Sequence, residues 1–186
     1  FYAASSHIYG QPVDFLQDET TQFDPQSVYA ITKLDGLLLS RYYRTNYSIM
    51  SSVGILYNHE SHLRSDNFIT KRIVNTAIEI KNNKKQKLVI GNINARIDLG
   101  YAGDYIIAMT KIIELPDADE FIIATGTTIE LRDFISAVFN YLDLDWKQYV
   151  VEDPFLLKRK SVNTLCGNPK KLMRLTGWRP VTSIRD

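Results

Sequence analysis

Cysteine is almost missing from this chain. Cys166 is the only one among 186 residues, which rules out an internal disulfide framework and makes a reducing compartment, the cytoplasm, the expected location. Excess charge of either sign is also missing. With 22 basic against 21 acidic side chains the formal net charge is +1, so no global field draws the protein to nucleic acid, and any anionic ligand must be held locally. No apolar run approaches the roughly 20 residues needed to cross a bilayer, and Lys33 and Asp35 interrupt the richest stretch, so no membrane association is expected. The opening residues Phe1-Tyr2-Ala3-Ala4-Ser5-Ser6 lack the basic start and cleavage site of a secretory signal and read as a buried strand running into a polar turn. Three histidines and one cysteine show no zinc-ligand spacing, and Asp117-Ala118-Asp119-Glu120 reads as a solvated turn, so no metal is expected. Lys84, Lys85 and Lys87 have no interleaved aromatics and read as a solvated loop.

What is present is an alternation of helical and strand-like segments. Ile31, Leu34, Leu38 and Tyr42 recur at three- and four-residue intervals and predict a helix over 27–43, with Asp24-Pro25 just upstream as its start. A continuous β-prone run over 48–56 predicts a strand covered on both faces. A helix over 67–81, a short strand at 88–90, a helix over 101–115 and a strand at 121–124 follow. Thr127 and Glu130 have the spacing of a capping box before Leu131, Ile135, Val138 and Leu142, while Asn168-Pro169 and Gly177 bracket a last short helix. The class is therefore α/β: part of a Rossmann-like parallel sheet with flanking helices and a smaller C-terminal lobe. No repeat or flexible linker divides the 186 residues.

The sharpest chemical signal is Tyr29-Ala30-Ile31-Thr32-Lys33. Positions four apart project from one helix face, so the ammonium of Lys33 can stabilise a Tyr29 phenolate and make it a usable base near neutral pH. Alone, Tyr-x-x-x-Lys is usually an ordinary helix surface. Its context is Ala4-Ser5-Ser6-His7-Ile8-Tyr9-Gly10, where an apolar strand ends in hydroxyls and Ser5 could bond the same sugar oxygen as Tyr29.

These segments resemble the extended short-chain dehydrogenases/reductases, whose strand-end serine or threonine works with tyrosine and lysine in redox chemistry, and it is this resemblance that implies a sugar oxygen shared by Ser5 and Tyr29. By that resemblance Ser5, Tyr29 and Lys33 are catalytic, and Tyr29 and Lys33 also contact the cofactor. Gly54-Ile55-Leu56-Tyr57-Asn58-His59-Glu60-Ser61 and Asn67-Phe68-Ile69-Thr70-Lys71-Arg72-Ile73 are similar to the GDP-mannose 4,6-dehydratases within that family. The likeness continues through Asp98-Leu99-Gly100, Asp104-Tyr105, Leu131-Arg132-Asp133-Phe134 and Gly177-Trp178-Arg179-Pro180, and so spans nearly the whole chain. It implies NADP rather than NAD as cofactor, with His59 and Arg64 contacting it. It also implies a nucleotide-sugar substrate, GDP-mannose, met by Asn58, Arg72, Arg132 and Lys158, and an assembly that is a homodimer or homotetramer. Arginine suits such a site because its guanidinium binds phosphate in bidentate fashion.

Four departures qualify the likeness. His7 stands where the family places a glutamate that helps eliminate water; an imidazole can exchange protons near pH 6–7, and a packed histidine is the competing reading. Ile97 replaces an arginine before Asp98, with Arg96 one place earlier, and Lys158, Arg159 and Ser161 differ from the family pattern near the end. No glycine-rich strand-to-helix turn for a dinucleotide pyrophosphate occurs, so N-terminal dinucleotide-binding units are expected to lie outside these residues. The implied activity is a nucleotide-sugar 4,6-dehydratase. The alternatives are a nucleotide-sugar epimerase or ketoreductase, and a noncatalytic nucleotide-sugar-binding subunit.

Overall fold

The computed structural model describes residues 1–156 and 164–186. Its strands are β1 (Tyr2–Ser5), β2 (Leu16–Gln17), β3 (Val53–Leu56), β4 (Asn58–Glu60), β5 (Leu88–Ile90), β6 (Arg96–Ile97), β7 (Leu99–Tyr101), β8 (Glu120–Ile123), β9 (Ile129–Glu130), β10 (Val150–Glu152) and β11 (Cys166–Gly167). The α-helices are α1 (Val28–Tyr47), α2 (Ile69–Lys81), α3 (Ala102–Ile113), α4 (Leu131–Tyr141) and α5 (Lys170–Thr176).

A parallel sheet in the order β1-β3-β8 forms the centre, with Ala4 opposite Ile55 and Ile55 opposite Ile122. Alternation along the strands gives the two faces separate cores. Ala4, Val53, Ile55 and Ile122 pack with Leu37 of α1, whereas Phe121 and Ile123 pack with Tyr105, Ala108 and Ile112 of α3 and with Leu172 and Trp178. Leu37 is fully buried, which contributes about 1.5–3 kcal/mol. A third core joins Ile73, Ala77 and Ile80 of α2 to Leu131, Ile135 and Phe139 of α4 over Leu88 and Ile90. The expected parallel α/β arrangement is therefore present.

The boundaries differ from the sequence pattern where tertiary pairing intervenes. The strand expected over 48–56 begins only at Val53, because α1 runs on to Tyr47 and Ser48 caps it in the left-handed conformation with φ 53°. The start of α1 is Ser27, whose hydroxyl accepts the Ala30 N–H at 3.1 Å, rather than the Asp24-Pro25 pair. The capping box at Thr127 and Glu130 is not formed. Glu130 is drawn into β9, paired antiparallel with β6, so its backbone stays extended and the helix cannot begin before Leu131. The reciprocal contact lies three residues on, where Asp133 accepts the Glu130 N–H at 3.1 Å. The acidic cluster is no solvated turn either: Glu120 is buried against Arg41 and Arg44, and Asp119 pairs with Lys171.

Candidate functional site

The C-terminal end of β1 delivers Ser5 to the edge of the sheet. Its buried hydroxyl accepts the His7 N–H at 3.3 Å and caps the 3-10 turn Ser6–Tyr9. Tyr29, in the first turn of α1, is 53% exposed, so its phenol is open to a ligand. One turn later Lys33 donates from Nζ to the Ala3 carbonyl at 2.9 Å, which ties the helix to β1 two residues before Ser5. The same Nζ lies 5.7 Å from the Tyr29 ring centroid, and the exposed His7 ring meets Tyr29 edge-on with centroids 5.8 Å apart. Tyr29, Lys33 and His7 thus converge beside the strand end that carries Ser5.

Tyr2 is a neighbour that the sequence pattern did not single out. Its phenol donates to the Thr32 carbonyl at 3.2 Å, and its ring lies 5.5 Å from Lys33 Nζ. Burial, with the charges of Tyr29 and Asp35, holds that phenol above the ordinary tyrosine value, so it stays protonated. Gly36 makes the approach possible, since a Cβ there would fall 2.1 Å from the Tyr2 ring. A glycine inside an otherwise apolar helix was the one available signal.

The residues expected at the nucleotide side lie on other elements. Asn58 donates from Nδ2 to the Asp98 carbonyl at 3.3 Å. His59 Nδ1 lies 2.8 Å from the Tyr57 carbonyl, which can only accept, so Nδ1 carries a proton. That ring packs 5.0 Å from Tyr105. Arg64 is engaged within its own loop, 3.1 Å from Glu60 and 3.4 Å above the Phe68 ring. Burial pushes the Glu60 carboxyl up, against the pull of Arg64. A cavity of about 350 Å³ lies beside this pair, lined by Glu60, Arg64, Thr70, Lys71 and Tyr101, away from Tyr29.

Arg72 is exposed on α2, and exposed Arg132 pairs with Glu130 at the start of α4. Arg96 is exposed opposite Glu130 and donates to Thr128 at 3.1 Å, while Ile97 turns inward against the α2/α4 core. The one-residue offset therefore sends the arginine and the isoleucine to opposite sides of the ribbon, as strand alternation requires. Lys158, like Arg159 and Ser161, lies outside the described residues.

Sequence reasoning also missed Asp98 as an organising group. Its side chain is wholly buried and accepts from Thr125 N–H at 2.9 Å, Thr125 Oγ1 at 2.7 Å, Gly167 N–H at 3.1 Å and Gly126 N–H at 3.3 Å. Burial pushes its carboxyl up, and these hydrogen bonds pull the other way. The adjacent Cys166 thiol is pushed up to about 11 by burial and by the Asp98 charge, which leaves it unreactive at neutral pH.

A family profile described as GDP-mannose 4,6 dehydratase matches residues 1–186. The curated protein "GDP-mannose 4,6 dehydratase 2" of Arabidopsis thaliana is 36% identical over 180 residues, covering 97% of this chain and 48% of that protein. The chain spans about half the length of the curated relatives it matches. Among solved structures, RMD from Pseudomonas aeruginosa complexed with NADPH superposes with a TM-score of 0.90 at 20% identity, covering 99% of this chain and 62% of that one. The dTDP-glucose 4,6-dehydratase of Bacillus anthracis in complex with NAD gives a TM-score of 0.84 at 16% identity, with 98% and 57% covered. At these identities the structural likeness speaks for the fold alone.

Proposed function

The chain belongs to the GDP-mannose 4,6-dehydratase family, and from that premise we propose that it supplies the catalytic and nucleotide-sugar-binding portion of an NADP-dependent dehydratase acting on GDP-mannose. The carrying observation is Lys33: held to the Ala3 carbonyl at 2.9 Å, it keeps its ammonium 5.7 Å from the Tyr29 ring, beside the strand end that bears Ser5. An exposed phenol, a fixed ammonium and a strand-end hydroxyl suit the redox end of a nicotinamide cofactor. His59 and Arg64 are the further residues proposed to contact it; the solved neighbours carry NADPH or NAD, and NADP is the cofactor that the family resemblance implies.

In this reading Tyr29 removes the proton from the C4 hydroxyl of the sugar as that carbon is oxidised. Lys33 stabilises the phenolate, and Ser5 bonds the same sugar oxygen. Once C4 is a ketone the proton on C5 is acidic, and His7, in edge contact with Tyr29, is the group available to take it and to protonate the hydroxyl departing from C6. A nicotinamide held beside Tyr29 and Lys33 would supply the hydride acceptor for C4 and the donor for C6, with a proton returning to C5, so no cofactor would be consumed and the net change would be loss of water. Asn58, Arg72 and Arg132, with Lys158, hold the nucleotide diphosphate. The outer side of α1 exposes Ile31, Leu38, Leu39 and Tyr42, an apolar stripe that supports a homodimer or homotetramer.

The test is to incubate the full-length protein with GDP-mannose and NADP and to weigh the product. A product lighter by one water, with NADP unchanged, is expected. A product of unchanged mass would instead identify an epimerase, net reduction of NADP to NADPH a ketoreductase running in its oxidative direction, and tight binding without turnover a noncatalytic subunit.

A further inference from the structure

Three segments that are distant in sequence meet at Asp98. Asp98 lies between β6 and β7; its backbone carbonyl receives the Asn58 amide from β4, and its carboxylate receives the turn after β8 and the N–H of Gly167 in β11. The two carboxylate oxygens divide the work. Oδ1 accepts from Thr125 N–H and Oγ1, and Oδ2 accepts from the backbone N–H groups of Gly126 and Gly167. Both glycines are constrained: Gly126 has φ +81°, and a Cβ on Gly167 would lie 2.5 Å from the Ala124 side chain and 2.7 Å from the Tyr57 ring.

The turn held by Oδ1 and Oδ2 leads through Thr128 directly into β9, Glu130 and Arg132. Asn58 and Arg132, two of the residues proposed to hold the nucleotide diphosphate, therefore approach from different elements and are referred to one residue. A buried carboxylate serving three backbone N–H donors has no substitute among neutral side chains of its size. An asparagine can satisfy the Gly126 and Gly167 donors with its oxygen, but its NH₂ then faces the N–H of Thr125.

We propose that Asp98 is a positioning residue for nucleotide-sugar binding: its carboxylate sets the turn at Thr125 and Gly126, and with it Arg132, while its main-chain carbonyl aims the Asn58 amide. The role rests on the nucleotide-sugar reading above. Asp98 touches no substrate atom; it acts through Asn58 and Arg132.

The experiment compares KM and kcat for GDP-mannose in the full-length wild type, Asp98→Asn, Arg132→Ala and the double variant. For Asp98→Asn, KM is expected to rise about tenfold while kcat changes less than about threefold, the pattern of lost binding rather than lost chemistry. Combined with Arg132→Ala, the rise in KM should be smaller than the product of the two single effects, because the Asp98 carboxylate acts through Arg132. An unchanged KM accompanied only by a lower Tm or a smaller active fraction would reduce Asp98 to a stability element and overturn the proposal. Should Asp98→Asn fail to fold, Thr125→Val decides: it removes one donor and keeps the carboxylate, and about a threefold rise in KM is expected, whereas no rise overturns the role. Absence of turnover in the wild type would overturn the nucleotide-sugar reading itself, an outcome distinct from an active wild type whose KM ignores Asp98.

Discussion

Replacing Gly167 with alanine sets two effects of opposite sign against each other. Gly167 is absent from the glycines with positive φ, so alanine is permitted by the backbone and would by itself stabilise by about 0.4–1 kcal/mol through the unfolded chain. The added methyl, however, would meet Ala124 Cβ at 2.5 Å, Tyr57 Cε2 at 2.7 Å and Ile122 Cγ2 at 2.8 Å, all on fully buried side chains of the sheet core. Overpacking of this kind costs about 1–3 kcal/mol. The overpacking outweighs the backbone gain because none of the three neighbours has free space to move into. The net expectation is destabilisation by about 1–2 kcal/mol, which lowers Tm by about 2–8 °C for a unit of this size. Thermal unfolding followed by circular dichroism reads this directly. Adding Ala124→Gly, which removes the nearest obstacle, should make the double variant more stable than the sum of the single effects predicts. A Gly167→Ala protein that melts at or above the wild-type temperature would refute the packing described around β11.

Tyr29→Phe keeps the ring that meets His7 and loses the hydroxyl; turnover should fall by about 10²–10⁴-fold, with nucleotide-sugar affinity little changed by isothermal calorimetry. Ile135→Ala opens a cavity in the α2/α4 core, where Ile135 is fully buried, and should cost about 2–5 kcal/mol in urea unfolding. The pH dependence of Tm has a worked sign. Asp98, Glu19 and Glu60 have carboxyls pushed up by burial, so the folded state binds protons more readily than the unfolded chain; their contribution becomes more favourable as pH falls from 7 toward their raised values. Asp18 is held low by its Thr20 hydrogen bonds. Asp119 is also low: its burial pushes the carboxyl up, but the hydrogen bonds from Lys171 and the Glu120 N–H and the charges of Lys171 and Arg44 together pull it further down. The stability these two provide is lost only below the ordinary aspartate value of about 3.9. Melting curves should therefore show no loss of Tm attributable to the buried carboxyls between pH 7 and 5, and Asp98→Asn should remove part of the pH dependence in that window.

The secondary structure was legible where a single periodicity governs. Leu34, Leu38 and Tyr42 announce α1 by their helical spacing, although Leu38 and Tyr42 lie on its exposed side and Leu37 is the residue it buries, whereas Ile69, Ile73, Ala77 and Ile80 announce α2 through the face it packs inward. Tyr29 and Lys33 were readable for the same reason, helical spacing placing them on one side. The start of α4 was misread because Thr127 and Glu130 satisfy a local rule that the β6–β9 pairing overrides. Asp119 and Glu120 looked like a solvated turn because their partners, Lys171, Arg41 and Arg44, come from helices far away in sequence. Asp98 was noticed only as part of a motif; nothing in residues 96–100 indicates that its carboxylate will meet Thr125, Gly126 and Gly167. Buried polar hubs are properties of the assembled fold, and a spacing pattern within one element cannot report them.

The central claim is that Ser5, Tyr29 and Lys33 serve a dehydratase that moves hydride within one sugar. The most direct measurement follows deuterium placed at C4 of GDP-mannose through turnover by the full-length protein with NADP. The account predicts that the label appears at C6 of a product that has lost one water, with NADP unchanged at the end. Label retained at C4, or lost to a reduced cofactor that accumulates, would contradict it.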